Sequence, residues 1–312
     1  QLNSLGMLCN RLGFFKEAVN MYEISEDKEG SCSKQHVNKS IAYICQHRFA
    51  DAEICIRQEM REFVESAETL FWQARLLNLS GHHHESLEFI KKLLANFATV
   101  PTHKCFALVE KGNALRSMKK LDESLICYRD SSRISIANPI WLMIAHFEYA
   151  ITLDYVGKTN EALNVATEGQ GIQCQRIEES YNPCTILRQV FLYRRDKATK
   201  LSPAPDEWVN CAKSWPRPFL PYHIWVLLLA FGYFYERGDS SGAWNVLNAL
   251  IDSSGFIPSD KTDNLNRSFN ANKLYWNTAF IDLLSTTICE HSFLLSFEYN
   301  IISQLIQGLC DS

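Results

Sequence analysis

Three adjacent histidines, His82-His83-His84, are the residues best suited by type to hold a metal ion. Metal ligands must converge on one point, and neighbouring side chains on a tight turn diverge. The run is therefore expected to form a turn and no metal site. Cys45–His47 and Cys32–His36 each lack the second pair that a zinc motif carries. The sequence holds no G-x-S-x-G elbow, and no cysteine in a recognisable nucleophile context. It also holds no P-loop or G-x-G-x-x-G phosphate cradle. Glu178–Glu179 and Asp122–Glu123 are sequence neighbours, and adjacent carboxylates on a helix face apart. No catalytic residue, metal or cofactor is expected from these patterns.

Charge offers one further candidate. Arg188, Arg194, Arg195, Lys197 and Lys200 cluster, with Arg188 and Arg195 on one helical face beside Phe191 and Tyr193. Against this stand 35 acidic residues and 31 lysines and arginines, a net charge of −4. A nucleic-acid surface needs an extended basic stripe, so that partner class is not expected. The cluster is expected to be a solvated face, or a contact for an acidic peptide or neighbouring domain.

What must position these residues is a repeated pair of helices. Ala18 follows a short polar turn and a helix-like apolar spacing, Leu5, Leu8, Cys9, Leu12, then Phe15, Val19, Tyr22. The same role falls to Ala52 and Ser86 at spacings of 34, and to Ser124 and Ala162 at spacings of 38. Ala243 occupies it again, 81 residues beyond Ala162. Twelve residues before each of the first five anchors stands a small residue: Gly6, Ser40, Ala74, Gly112 and Ala150. Four residues after the anchor the side chain is usually bulky, as in Tyr22, Ile56, Ile90 and Tyr128. Small residues are needed where two helix axes cross closely. Gly13, Gly81, Gly157 and Gly238 stand where each first helix must stop. Pro101 and Pro139 fall between repeats, where a helix has to end.

This helix–turn–helix of 34 residues, with its two small positions and its turn glycine, resembles the tetratricopeptide repeat. The resemblance implies an all-α, right-handed superhelical solenoid of stacked antiparallel helix pairs. Residues 1–170 are expected to hold five repeats. Residues 171–222 would be an irregular repeat or hinge, with one helix over Thr185–Lys197, a short second one over Asp206–Trp215, and proline-rich loops. Residues 223–312 would hold a further repeat and two C-terminal capping helices, over about 269–288 and 291–309. Ile224 to Phe234 is the longest apolar run, eleven residues, too short to span a bilayer.

Eleven scattered cysteines in a chain of 312 residues suggest reduced, buried thiols and an intracellular, cytoplasmic protein. Three Asn-x-Ser triplets, at Asn38, Asn78 and Asn266, point the other way. The chain opens at Gln1 without an initiating methionine or leader, which suggests a piece of a longer protein.

The function these expectations favour is a non-catalytic scaffold that holds a protein or peptide in a groove lined by the first helices. Gln73, Asn113, Arg116 and His146 are the candidate groove residues, with Arg188 and Arg195 from the basic cluster. Asn113 also matches the asparagine of the carboxylate clamp found in some tetratricopeptide domains. Val109 stands where that clamp needs lysine, and Ile151 where it needs a second asparagine, so the clamp is incomplete. The alternative is a sensor or autoinhibitory arm of a larger multidomain enzyme or signalling protein.

Overall fold

The computed structural model describes residues 1–12, 14–46, 48–134, 136–173 and 182–196, with 207, 208, 230, 234, 239, 241, 242, 245 and 246. The described elements are α-helices: α1 Leu2–Leu12, α2 Phe15–Glu29, α3 Gln35–Cys45, α4 Phe49–Glu62, α5 Ala67–Leu79 and α6 His83–Phe97. There follow α7 Pro101–Ser117, α8 Leu121–Ser132, α9 Pro139–Tyr155, α10 Thr159–Gln170 and α11 Pro183–Arg195. Two compact units divide within α9, after Tyr149. The expected helices over 269–288 and 291–309, and most of the apolar run at 224–234, lie outside the described residues. No described helix is long and apolar enough to cross a membrane.

In the first unit, helices pack in consecutive pairs, α1 with α2, α3 with α4, α5 with α6 and α7 with α8. The second helices α2, α4 and α6 also pack on the next first helix, and α1, α3, α5 and α7 touch in succession. The fold is thus an all-helical array of consecutive pairs. In the second unit, α10 packs on α11.

One turn geometry builds the pairs. The residue four before each anchor caps the second helix, and Phe14, Arg48, His82, Lys120 and Lys158 share φ between −90° and −82° and ψ between 51° and 71°. Each donates its N–H to the carbonyl five residues back, at 2.8–3.0 Å. Asp239 N–H makes the same bond to Phe234 O at 2.9 Å, four residues before Ala243. The preceding residue takes a left-handed conformation in Gly81, Lys119 and Gly157, with φ of 81°, 62° and 82°. Glycine adopts this without a Cβ clash, and Lys119 adopts it at a cost.

The close crossing explains the small residues. A Cβ added to Gly6 would lie 2.6 Å from the Tyr22 ring, and one on Gly112 would lie 2.5 Å from the Tyr128 ring. Where the small residue is Ser40 or Ala74, the bulky partner position holds isoleucine, Ile56 or Ile90. Glycine thus goes with tyrosine, and Ser40 and Ala74 with isoleucine, while Ala150 in the fifth repeat goes with Ala166. The serine anchors add a bond across each crossing, Ser86 Oγ to Ala74 O at 2.8 Å and Ser124 Oγ to Gly112 O at 2.9 Å.

The spacing of 38 also has a structural cause. α7 and α9 each carry 17 residues, against 13 in α5 and 11 in α3. The extra turn lies at the helix N-terminus and begins with proline, so Pro101 and Pro139 start helices and do not separate them. Proline suits the first helical position because the N–H it lacks would have no partner there. The added turns carry His103 and Trp141 at the same register. His103 lies against Phe97 and Phe106, and Trp141 against Phe71 and Phe106.

Helix α11 begins two residues earlier than expected and stops at Arg195. Asn182 accepts a hydrogen bond from Cys184 N–H at 2.9 Å, Pro183 opens the helix, and Asp196 is extended. The Asn182 amide also donates to Gly169 O at 3.0 Å, fastening α11 to the end of α10.

Candidate functional site

The polar residues of the first helices form a ladder within the first unit. Arg75 Nη1 of α5 donates to Glu110 Oε1 of α7 at 3.0 Å. Asn113 donates to the other oxygen of Glu110 at 3.0 Å and accepts from the Tyr128 hydroxyl at 2.7 Å. Arg116 of α7 pairs with Glu148 of α9, and both side chains are almost wholly buried. The Arg116 guanidinium also lies over the Tyr128 ring, 5.6 Å from its centroid, where a cation is attracted to the π face. Glu110 and Glu148 each stand fourteen residues before an anchor. The ladder therefore follows the repeat.

A second repeating contact joins successive first helices. Asn10 Nδ2 donates to Asn38 O at 2.7 Å, and Asn78 Nδ2 donates to Glu110 O at 3.2 Å. Both donors stand eight residues before an anchor, and both acceptors fourteen before the next.

The structure places Gln73, Asn113, Arg116 and His146 in the interior, each less than a tenth exposed. Asn113 and Arg116 are bonded to Glu110, Tyr128 and Glu148 as described. Gln73 Oε1 accepts no hydrogen bond among the described residues. Arg188 is half-buried, its Nε donating to Thr167 Oγ1 at 3.2 Å, and Arg195 is exposed. At the failed clamp, Val109 and Ile151 are buried and apolar.

Among the described residues no group of histidine, cysteine and carboxylate side chains could hold a metal ion. His82 caps α6, and His83 and His84 begin it. Burial, then the neighbouring His84 and His82, push the His83 ring below the ordinary histidine range. Asp122 and Glu123 are exposed in the first turn of α8, where the helix dipole favours acids. Glu178–Glu179, His47, Lys197 and Lys200 lie outside the described residues. Asn78 is buried and Asn38 half-buried within helices, so neither triplet offers an open loop for a glycan.

The described cysteines are free thiols, with Cys55, Cys105, Cys127 and Cys184 buried and Cys32 exposed. Burial pushes the Cys55 and Cys105 thiols up to about 11, against smaller opposing effects of Lys39 and of a Ser131 hydrogen bond. Cys184 is pushed further in the same direction by burial.

Sequence reasoning missed the buried ion pairs, and the shared register of Glu110 and Glu148 was the signal for them. It also missed Glu59 of α4, whose Oε1 accepts the Lys34 N–H at 2.6 Å and so caps α3 from another helix.

No protein-family model matches the chain. One stretch is 36% identical over 77 residues to N-alpha-acetyltransferase 16, NatA auxiliary subunit, from Homo sapiens. That stretch is 25% of this chain and 8% of the relative, so the match spans under a tenth of that protein's length. The chain is thus similar, over a quarter of its length, to a protein named as an auxiliary subunit.

Proposed function

We propose that this chain is a non-catalytic scaffold that binds a protein partner, as an auxiliary subunit supporting a catalytic N-alpha-acetyltransferase subunit. The observation that carries the proposal is the 36% identity to an auxiliary subunit, in a chain whose helices pack as consecutive pairs. In this proposal the pairs wind into a right-handed, tetratricopeptide-like superhelix. Five repeats fill residues 1–170, an irregular segment follows to 222, and a further repeat with capping helices completes 223–312. The partner's backbone or helix lies along the first helices. Arg195, with Arg188 behind it, supplies positive charge for an acidic segment of the partner. Gln73, Asn113, Arg116 and His146 act from beneath, holding the first helices at the spacing the partner meets.

Co-expression with the catalytic subunit of an N-alpha-acetyltransferase from the same organism tests the proposal. The two chains should co-purify at equal stoichiometry, and acetyl transfer should require the catalytic chain. Acetyl transfer by this chain alone would refute the non-catalytic role, and separate elution would refute the partnership.

A further inference from the structure

Helix α1 differs from the other first helices of its unit in what it leaves open. Leu5 and Leu8 are 48% and 49% exposed. Leu8 stands ten residues before an anchor, as do Ala42, Leu76 and Ala114, which are at most 2% exposed. Leu5 stands thirteen before its anchor, as do Lys39 and Gln73, which are also buried. In the later repeats these positions face the preceding pair. Lys39 Nζ of α3 donates to Glu26 Oε2 of α2 at 2.9 Å, and Leu76 of α5 packs in one cluster with Ala52, Cys55 and Ile56 of α4. Gln35, seventeen before its anchor, donates to Tyr22 O of α2 at 3.0 Å. At α1 the same three positions are Gln1, Leu5 and Leu8, one stripe at three- and four-residue steps. Side chains 2–10 carry no charge, so the two leucines have uncharged flanks.

We propose that this stripe is the docking surface for an amphipathic helix of the catalytic subunit, which covers α1 as α2 covers α3 and α4 covers α5. The inference rests on the auxiliary-subunit reading above and says where on the first helices the partner's helix lies. The seam between pairs is an interface this unit builds three times, α2 on α3, α4 on α5 and α6 on α7, and α1 carries its next position. A helix fills that seam each time, so the matching occupant is a helix. Its apolar residues recur at three- and four-residue steps toward Leu5 and Leu8. The other first helices of the unit offer no such surface. Among the described residues of α3, α5 and α7 no large apolar side chain is exposed. Exposed Ile54 and Ile126 lie on second helices two pairs apart, each alone, as surface apolar residues ordinarily do.

Amide hydrogen exchange of the full chain, alone and mixed with a purified N-alpha-acetyltransferase catalytic subunit, reads the cover directly. Exchange of α1 amides should slow about tenfold in the complex. Leu5→Ser with Leu8→Ser should weaken binding about thirtyfold, from the burial that two half-exposed leucines no longer gain, and leave the thermal midpoint of the chain unchanged. The exchange measurement needs no variant, so it decides the matter even if the double variant fails to fold. Unchanged α1 exchange in a formed complex overturns this inference and leaves the subunit reading standing. Absence of any complex overturns both, so the two failures are told apart. A chain that is a dimer on its own by light scattering, and a monomer with both serines, has a second copy on α1, and the proposal falls. It falls too if α1 amides of the monomeric chain alone are protected as strongly as those of α5, because the chain then covers the stripe itself.

Discussion

Gly112 is a residue where size is tightly set, because the place a Cβ would take is occupied by the Tyr128 ring. Gly112→Ala should destabilise the chain by about 1–3 kcal/mol through overpacking, seen as a lower denaturant midpoint. Adding Tyr128→Ile, which recreates the alanine–isoleucine pairing of Ala74 and Ile90, should recover a large part of that loss despite removing the Tyr128 hydroxyl bond to Asn113. Lys119 presents the opposite case, a side chain where its counterparts are Gly81 and Gly157. Lys119→Gly should stabilise by about 0.5–1 kcal/mol, as relief of the left-handed conformation outweighs the added freedom of the unfolded chain. Cys55 and Cys105 should resist alkylation at pH 8 while the protein is folded, with rates about a hundredfold below an exposed thiol, because little thiolate forms so far below about 11. Exposed Cys32 should react first, which peptide mapping would detect. The sequence itself showed the small and bulky positions. The matching of glycine to tyrosine was hidden, because it links two positions sixteen residues apart and only their contact explains it.

At the scale of the elements, consecutive pairs were legible because apolar spacing and turn glycines recur in phase. The added turns of α7 and α9 were visible only as a change of spacing, since a sequence period does not say which end of a helix has grown. Buried charge was the least legible feature. Arginine and glutamate ordinarily mark solvent, so Arg116 was expected at an open groove, whereas Glu148 on the next first helix takes it into the interior. A buried pair adds little net stability, but leaving one partner alone there is costly. Arg116→Met should therefore cost about 3–5 kcal/mol, and Arg116→Met with Glu148→Leu should recover most of it. Urea unfolding of the three proteins checks this. Equal losses in the single and double variants would show that the two side chains do not act as a pair.

At the scale of the whole molecule, the scaffold is specified by packing and the partner is not. Positions that repeat are committed to helix crossings, turns and the polar ladder, so repetition itself marks residues unavailable for recognition. This explains why Gln73, Asn113, Arg116 and His146 were named from first helices yet lie inside, while exposed Arg195 falls outside the regular repeats. A regulatory arm and an auxiliary subunit would share this construction, and differ in whether the catalytic partner is a separate chain. The most direct test is the mass in solution of this chain mixed with a purified N-alpha-acetyltransferase catalytic subunit, measured by light scattering during size exclusion. The account predicts one peak at the summed mass of one copy of each chain, weakened by Arg195→Glu. Two peaks at the separate masses, at concentrations well above those in the cell, would contradict it.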